Sequence, residues 1–289
     1  MNRYIALQKI VELGNFTKAA EALGYTQSAI SQMVASLENE LSIKLLHRSK
    51  TGARLTIEGE DLYPFIERSI FQYQAMQEKA NEIKGIETGV IRVGTISSVT
   101  CHWLPQLIKG FKEKYPNVEF VFHQGDYTSI QEWIRIGTVD FGIVTPPAVR
   151  DMETKIVKDG EMLVILPENH PLAELDAIPL EKLADEPYIL MEEGHYSEPL
   201  KAFESCGIKP NIKYTIHDDY AIMTMVEAGL GVSILAKLVL RRTNYNIVMK
   251  PTNPPIKRTL AIGYKDKNSL PIASKYFIDY MIENADMLP

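Results

Sequence analysis

The stretch FTKAAEALGYTQSAISQMVASLE, residues 16–38, constrains what this chain can fold into more than any other. Ala20 is small enough to let two helices cross closely. Gly24 then accepts a turn, and Ile30 and Met33 hold a second helix against the first. Thr26 stands where that second helix needs an N-cap. Its apolar residues Ile30, Met33, Val34 and Leu37 form one stripe, while Gln27, Ser28, Ser31, Gln32 and Ala35 point away from it. A helix-turn-helix with such a polar outer face suits the major groove of DNA.

The flanks extend this unit. Residues 2–14 read as a supporting helix closed by Gly14. Beyond Glu38, Leu45-Leu46 and Arg54-Leu55-Thr56 are placed to pair as two short strands around Lys50-Thr51-Gly52. A hairpin beside a helix-turn-helix is a wing, with Arg48, Lys50 and Arg54 as phosphate contacts that position the protein without specifying sequence. Taken alone, these charges would read as solvated surface. Residues 57–84 lack turn signals, and Leu62, Ile66, Ser69, Tyr73, Met76, Ala80 and Ile83 form a heptad-like seam with Thr56 as its cap. That seam reads as a dimerising linker, the alternative being a helix packed on its own domain. Pro64 is expected to kink it.

Charge separates this head from the body. Residues 1–57 hold seven Lys and Arg against four acids, so the head carries +3 and the remainder −9 of the net −6. A basic head on an acidic body suits a protein whose head alone meets phosphates. At 289 residues and 45% hydrophobic content the chain can bury a sizeable core in two or three units. It contains no apolar run long enough for a membrane span and no basic-then-apolar leader at the N-terminus. Cys101 and Cys206 make no disulfide framework, which fits a reducing cytoplasm.

From Gly89 strands and helices alternate. Strands are expected at 90–94, 118–122, 141–144, 162–166, 188–191, 212–216, 232–235 and 259–264. Helices are expected at 102–114, 128–136, 180–183, 197–206, 219–228 and 270–284. This order implies a largely parallel sheet with helices on both faces, arranged as two lobes around a cleft. Ligands of such folds sit at the carboxyl ends of strands. Ser97, Ser98 and Thr100 in the hydroxyl-rich loop after the first strand are candidate contacts, with Gln124, Thr145 and His195 after later strands. Hydroxyls at helix starts suggest a small carboxylate or other anion, although Glu192, Glu193 and His195 would favour a cationic or amphoteric ligand. Asp218-Asp219 and Glu192-Glu193 read most simply as solvated pairs.

Several segments together resemble one family. They are Asn15 to Ala20, Leu23, Thr26 to Ser31, Leu37-Glu38, Leu45-Leu46, Arg48 and Leu55-Thr56 to Gly59. In the body they continue with LPQLIKGFKEKYPNVEF, Gly137-x-x-Asp140-Phe141-Gly142-Ile143 and Glu227 to Val232. Across nearly the whole chain this resembles the LysR-type transcriptional regulators. The resemblance implies a winged helix-turn-helix at 1–58, a linker helix at 59–88 and an effector domain at 89–289 similar to type 2 periplasmic binding proteins. Lobe I would hold about 89–161 and 262–289, and lobe II about 162–261. It further implies a tetramer built from dimers, interrupted inverted repeats in double-stranded DNA as targets, and a small-molecule effector in the cleft. Thr26, Gln27, Ser28, Ser31, Gln32, Arg48, Lys50 and Arg54 would meet the DNA.

Three departures matter. Gln32 stands where the family commonly has Arg, Ala35 where it often has a basic residue, and Ala236 where Pro is frequent. Glu193-Gly194-His195 is similar to the peroxide-sensing branch, but Tyr196 occupies the position of its reactive cysteine, so no redox switch is expected there. The six histidines show no metal-ligand spacing, Gly229-Leu230-Gly231 lacks the third glycine of a dinucleotide fingerprint, and no G-x-S-x-G elbow occurs. Neither a metal nor a cofactor is expected. The competing reading is a solute-binding or enzymatic α/β protein whose N-terminal helices serve only for oligomerisation.

Overall fold

The computed structural model describes residues 1–49, 52–83 and 89–289, without the side chains of residues 48, 49, 78, 79 and 81–83. The chain divides into two compact units, residues 1–86 with 135–138, and residues 87–134 with 139–289.

The first unit contains α1 (Asn2–Leu13), α2 (Phe16–Leu23), α3 (Gln27–Leu41), β1 (Leu46–Ser49), β2 (Gly52–Leu55) and α4 (Ile57–Ile83). Its turns are fixed by side chains next to the backbone they cap. Asn15 Oδ1 accepts from the amides of Thr17 and Lys18 at 2.8 and 3.1 Å, starting α2. Gly24 ends α2 at φ 70°, a left-handed conformation that costs glycine nothing. Thr26 Oγ1 accepts from the Ala29 amide at 3.2 Å, starting α3. Ala6, Leu7, Ile10, Ala19, Ala20, Ile30, Val34 and Leu37 close the core beneath the three helices. Full burial of Ile30, Val34 and Leu37 contributes about 1.5–3 kcal/mol each.

A buried acid ties the hairpin to α3. Glu38 Oε1 accepts from the amides of Leu45 and Leu46 at 2.9 and 3.2 Å, and Oε2 meets Lys44 Nζ at 2.9 Å. Burial pushes the Glu38 carboxyl up, but the Lys44, Leu45 and Leu46 hydrogen bonds outweigh it and hold the group below its ordinary value. The strands then pair antiparallel, Leu46 opposite Leu55 and His47 opposite Arg54. Thr56 Oγ1 accepts from the Gly59 amide at 2.9 Å and donates to the Lys44 carbonyl at 2.6 Å, so it caps α4 and fastens the wing together.

Pro64 lies inside α4 and leaves the Glu60 carbonyl without its helical donor. The expected seam divides. Leu62 and Ile66 pack with Ile70 onto the unit's own core, whereas Ser69, Met76 and Ala80 are exposed and Tyr73 is half-buried. The Ile83 side chain lies outside the described residues.

The second unit holds β3 (Gly89–Thr95), α5 (Ser97–His102), α6 (Leu104–Lys114), β4 (Val118–Gln124), α7 (Tyr127–Ile136), β5 (Phe141–Val144), β6 (Glu153–Pro167), β7 (Ile178–Pro179) and α8 (Leu180–Leu183). It continues through β8 (Tyr188–Met191), α9 (Glu198–Ser205), β9 (Ile212–Ile216), α10 (Asp219–Glu227), β10 (Ser233–Ala236), β11 (Ile247–Asn253), β12 (Lys257–Tyr264) and α11 (Ile272–Glu283). Two cores form. One takes residues from Ile91 to Ala148 and from Leu260 to Leu288, the other from Met162 to Ile256. Asp140, from the family-like motif, secures the first by accepting from the Arg92 amide at 2.8 Å and from Ser274 Oγ at 2.7 Å.

The sheet is mixed, which corrects the expectation of a largely parallel one. β3 pairs in parallel with β4 and β5, while β8 and β9 form a separate parallel pair. β6 and β12, however, run antiparallel to each other over Lys257 to Tyr264. They are the two passages between the lobes, one outward and one returning, so their directions must oppose. β6 extends well before the expected 162–166 because the charged residues 153–161 alternate poorly and face solvent, and its ladder with β12 holds them extended. β11 was missed because Pro251 argues against a strand and Thr252 is its one buried residue. The expected helix at 102–114 is two helices broken at buried Trp103.

Glu38→Ala leaves the amides of Leu45 and Leu46 without their acceptor. Urea unfolding of the first unit should show a loss of about 1–3 kcal/mol. Because the carboxyl is depressed in the folded state, the wild-type advantage should be present at neutral pH and vanish as pH falls through the carboxylate range.

Candidate functional site

Two surfaces carry the expected chemistry. The first is the outer face of α3. Gln27, Ser28 and Gln32 are exposed there, and Ser31 is half-buried. Thr26 is exposed, but its hydroxyl is engaged as the cap and lies 3.0 Å from Ser28 Oγ. On the hairpin, Arg54 is exposed. Arg48 belongs to β1 by its backbone, while its side chain and the whole of Lys50 lie outside the described residues.

The second is a cavity of about 360 Å³ between the lobes of the second unit. Ser97, Ser98 and Gln124 line it, as do the starts of α7 and α10. Ser97 Oγ donates across the cleft to Asp219 Oδ2 at 2.6 Å. Ser98 is only 3% exposed, and its Oγ has no partner among the described residues. A buried hydroxyl without a partner calls for an explanation, and this one borders the cavity.

Three expected contacts go elsewhere. Ser97 to Thr100 belong to α5, not to a loop, and Thr100 Oγ1 turns back to Thr95 Oγ1 and the Ile96 carbonyl at 3.1 and 3.0 Å. Thr145 is buried at the end of β5 and does not line the cavity. His195 is exposed outside the cavity, where its Nδ1 and amide both meet Thr128 Oγ1, at 2.7 and 3.0 Å. Gly194 stands at φ 85° beside that hydroxyl, and a side chain there would collide with Thr128. Cys101 is exposed in the last turn of α5 and borders the cavity. Cys206 is exposed at the end of α9.

The cavity floor rests on a buried ionic cluster that sequence reasoning missed. Arg258, at the start of β12, donates through Nε to Tyr127 Oη at 2.7 Å and through an Nη to Glu193 Oε1 at 2.9 Å. Glu198 Oε1 lies 3.8 Å from Arg258 Nε and accepts from Tyr127 Oη at 3.2 Å. The guanidinium also stands over the Tyr127 ring at 5.5 Å. Burial pushes the Glu193 carboxyl up to about 7 against the pull of Arg258, with Glu198, Asp219 and Asp126 pushing the same way. Burial likewise raises Asp219, which is 8% exposed and not the solvated surface acid expected. The one available signal was Lys257-Arg258, a charged pair heading the apolar strand TLAIGY.

A DNA-reading head joined to a two-lobed binding domain defines a class of ligand-responsive regulators, and comparison places the chain within it. Residues 1–60 match the bacterial regulatory helix-turn-helix protein, lysR family, and residues 84–286 match the LysR substrate binding domain. The HTH-type transcriptional regulator YvbU of Bacillus subtilis (strain 168) is 32% identical over 274 residues, covering 94% of both chains. A full-length OxyR variant from Pseudomonas aeruginosa superposes with TM-score 0.71 at 26% identity, covering 99% of this chain and 97% of that one. The effector binding domain of QuiR in complex with shikimate gives TM-score 0.62 at 27% identity over 69% of this chain and 98% of that one. The chain belongs to the LysR family of transcriptional regulators.

Arg258→Met removes the cation from between Glu193 and Glu198. Thermal or urea unfolding should show a loss of about 3–5 kcal/mol, the scale for breaking a buried pair. The raised Glu193 carboxyl has a second consequence. Its folded form retains a proton that the unfolded chain releases near 4.5, so its contribution is full below that pH and lost as pH rises toward 7. Urea titrations across this window should show wild-type stability falling relative to Glu193→Gln, and a parallel pair of curves would contradict the assignment.

Proposed function

We propose that this chain reads promoter DNA as an oligomer, and that a small molecule in the cleft of its second unit sets how the reading heads are arranged. The observation that carries the proposal is Ser98, a buried hydroxyl with no partner among the described residues, beside a cavity of small-molecule size, in a chain that also presents a capped recognition helix. The QuiR domain, whose complex contains shikimate, supports a ligand in this domain type.

In this reading Gln27, Ser28, Ser31 and Gln32 choose bases, and Thr26, Arg48, Lys50 and Arg54 hold phosphates. Because Gln32 and Ala35 are not basic, the phosphate grip falls mainly to the hairpin. The exposed part of α4 around Met76 pairs with a second copy, and pairs of dimers form the tetramer. The lobes are bridged by Ser97–Asp219, Tyr127–Glu198 and Thr128–His195, contacts that an effector trades for its own. Only a ligand with unequal affinity for the two lobe arrangements moves the equilibrium. The protein transmits the signal in the cytoplasm and converts no substrate.

Footprinting and salt titration on the promoter adjoining the gene test this. Gln27→Ala should cost about 1–3 kcal/mol of discrimination at one base position. Arg54→Ala should weaken binding across sequences and lower the salt slope by about one. Sequence-blind, weak DNA binding by the full-length protein would defeat the proposal.

A further inference from the structure

The cavity is lined by more acids than cations. Asp126, Glu192, Glu193, Asp218 and Asp219 line it, and Arg258 is the one lysine or arginine among its described lining residues. Arg258 is already committed to Glu193 at 2.9 Å and Glu198 at 3.8 Å. The hydrogen bonds that orient the other acids bring little positive charge. Asp126 Oδ1 accepts from the Ser129 amide and hydroxyl, Asp218 Oδ1 from the Ala221 amide, and Asp219 Oδ2 from Ser97. His217 Nε2 lies 3.2 Å from Glu192 Oε2, but both side chains are exposed, at 71% and 45%, where such a pair contributes little.

Like charges gathered at a partly buried site repel strongly. Burial is the main cause of the upward displacement of Glu193 and Asp219; neighbouring acids add to it, Glu198, Asp219 and Asp126 at Glu193 and Asp218 at Asp219. A carboxylate ligand would add to the repulsion, whereas an ammonium or guanidinium ion would relieve it. Independently of the acids, the Ser98 hydroxyl marks the cavity as a place where a polar ligand completes a bond. Met191, Val239 and Tyr220 supply apolar wall for a carbon stem, and the Tyr220 ring is an additional surface for a cation.

We propose that the effector is a small organic cation, an amine or guanidine on a short carbon chain, held by Asp218 and Asp219 with Ser98 as a third polar contact. This rests on the reading of the cavity as the effector site. It replaces the anion suggested by the hydroxyls alone.

The test is thermal unfolding of the full-length protein at pH 7.5 with agmatine, putrescine and L-arginine as cationic probes and succinate and shikimate as anionic ones. The comparison variant is Asp218→Asn with Asp219→Asn. Asparagine caps α10 as well as aspartate does and still accepts from Ser97, so this variant keeps the local hydrogen bonds. Without any probe, the variant should melt above the wild type, because the buried charge of Asp219 has been removed. At least one cationic probe should raise the wild-type Tm saturably, with apparent affinity at least tenfold weaker in the variant. The proposal is overturned if no cation shifts the wild type, if cations shift both proteins equally, or if an anion gives the stronger shift. A saturable anion shift abolished by Ser98→Ala would mean that the cavity is right and the ligand class wrong. Failure of the regulator reading itself would appear separately, as loss of sequence-specific DNA binding in the absence of probes.

Discussion

The buried guanidinium of Arg258 is the interaction on which the second unit depends. A charge removed from water is tolerated only when paired and hydrogen-bonded. Here the partners are Tyr127 at the start of α7, Glu193 in the segment before α9 and Glu198 at its first position. Arg258 heads β12, the strand that returns to the first lobe along β6. One side chain therefore fixes the distance between elements of both lobes, and the cavity opens where they diverge. The same arrangement leaves little tolerance for change, because removing the cation strands two acids.

The first unit uses a buried acid in a comparable way. Glu38 sits near the end of α3 and accepts from the two amides at the entry to the hairpin. The reading helix and the wing are thus placed by one carboxylate, with Thr56 completing the link to α4. This matters because α3 lacks basic residues at 32 and 35. A weaker phosphate grip on the helix makes the orientation of Arg54 on the hairpin more important to affinity.

What was legible in the sequence follows from distance along the chain. The helix-turn-helix is written in neighbouring residues, since Asn15, Gly24 and Thr26 act within three residues of themselves. The α/β order was legible for short apolar strands that are largely buried, such as β3 and β5. It failed for the charged half of β6 and for β11, where a ladder partner, not side-chain period, holds the backbone. The cavity was half legible. Ser97, Ser98 and Gln124 follow strands and could be placed by rule, but Thr100 and Thr145 obey the same rule and point inward. Arg258 bonds residues 131 and 65 positions away, and no local pattern carries such a pairing.

In the proposed mechanism, lobe closure in the second unit changes how the protein holds DNA. A disulfide across the cleft tests it without knowledge of the effector. Ser97→Cys with Asp219→Cys replaces the 2.6 Å cross-lobe hydrogen bond, in a background with Cys101 and Cys206 changed to serine. Footprints of the oxidised and reduced protein on the same promoter are then compared. A protected region that changes in length or phase on oxidation and reverts on reduction is the predicted result. Identical footprints in both states, with the disulfide verified, would contradict it.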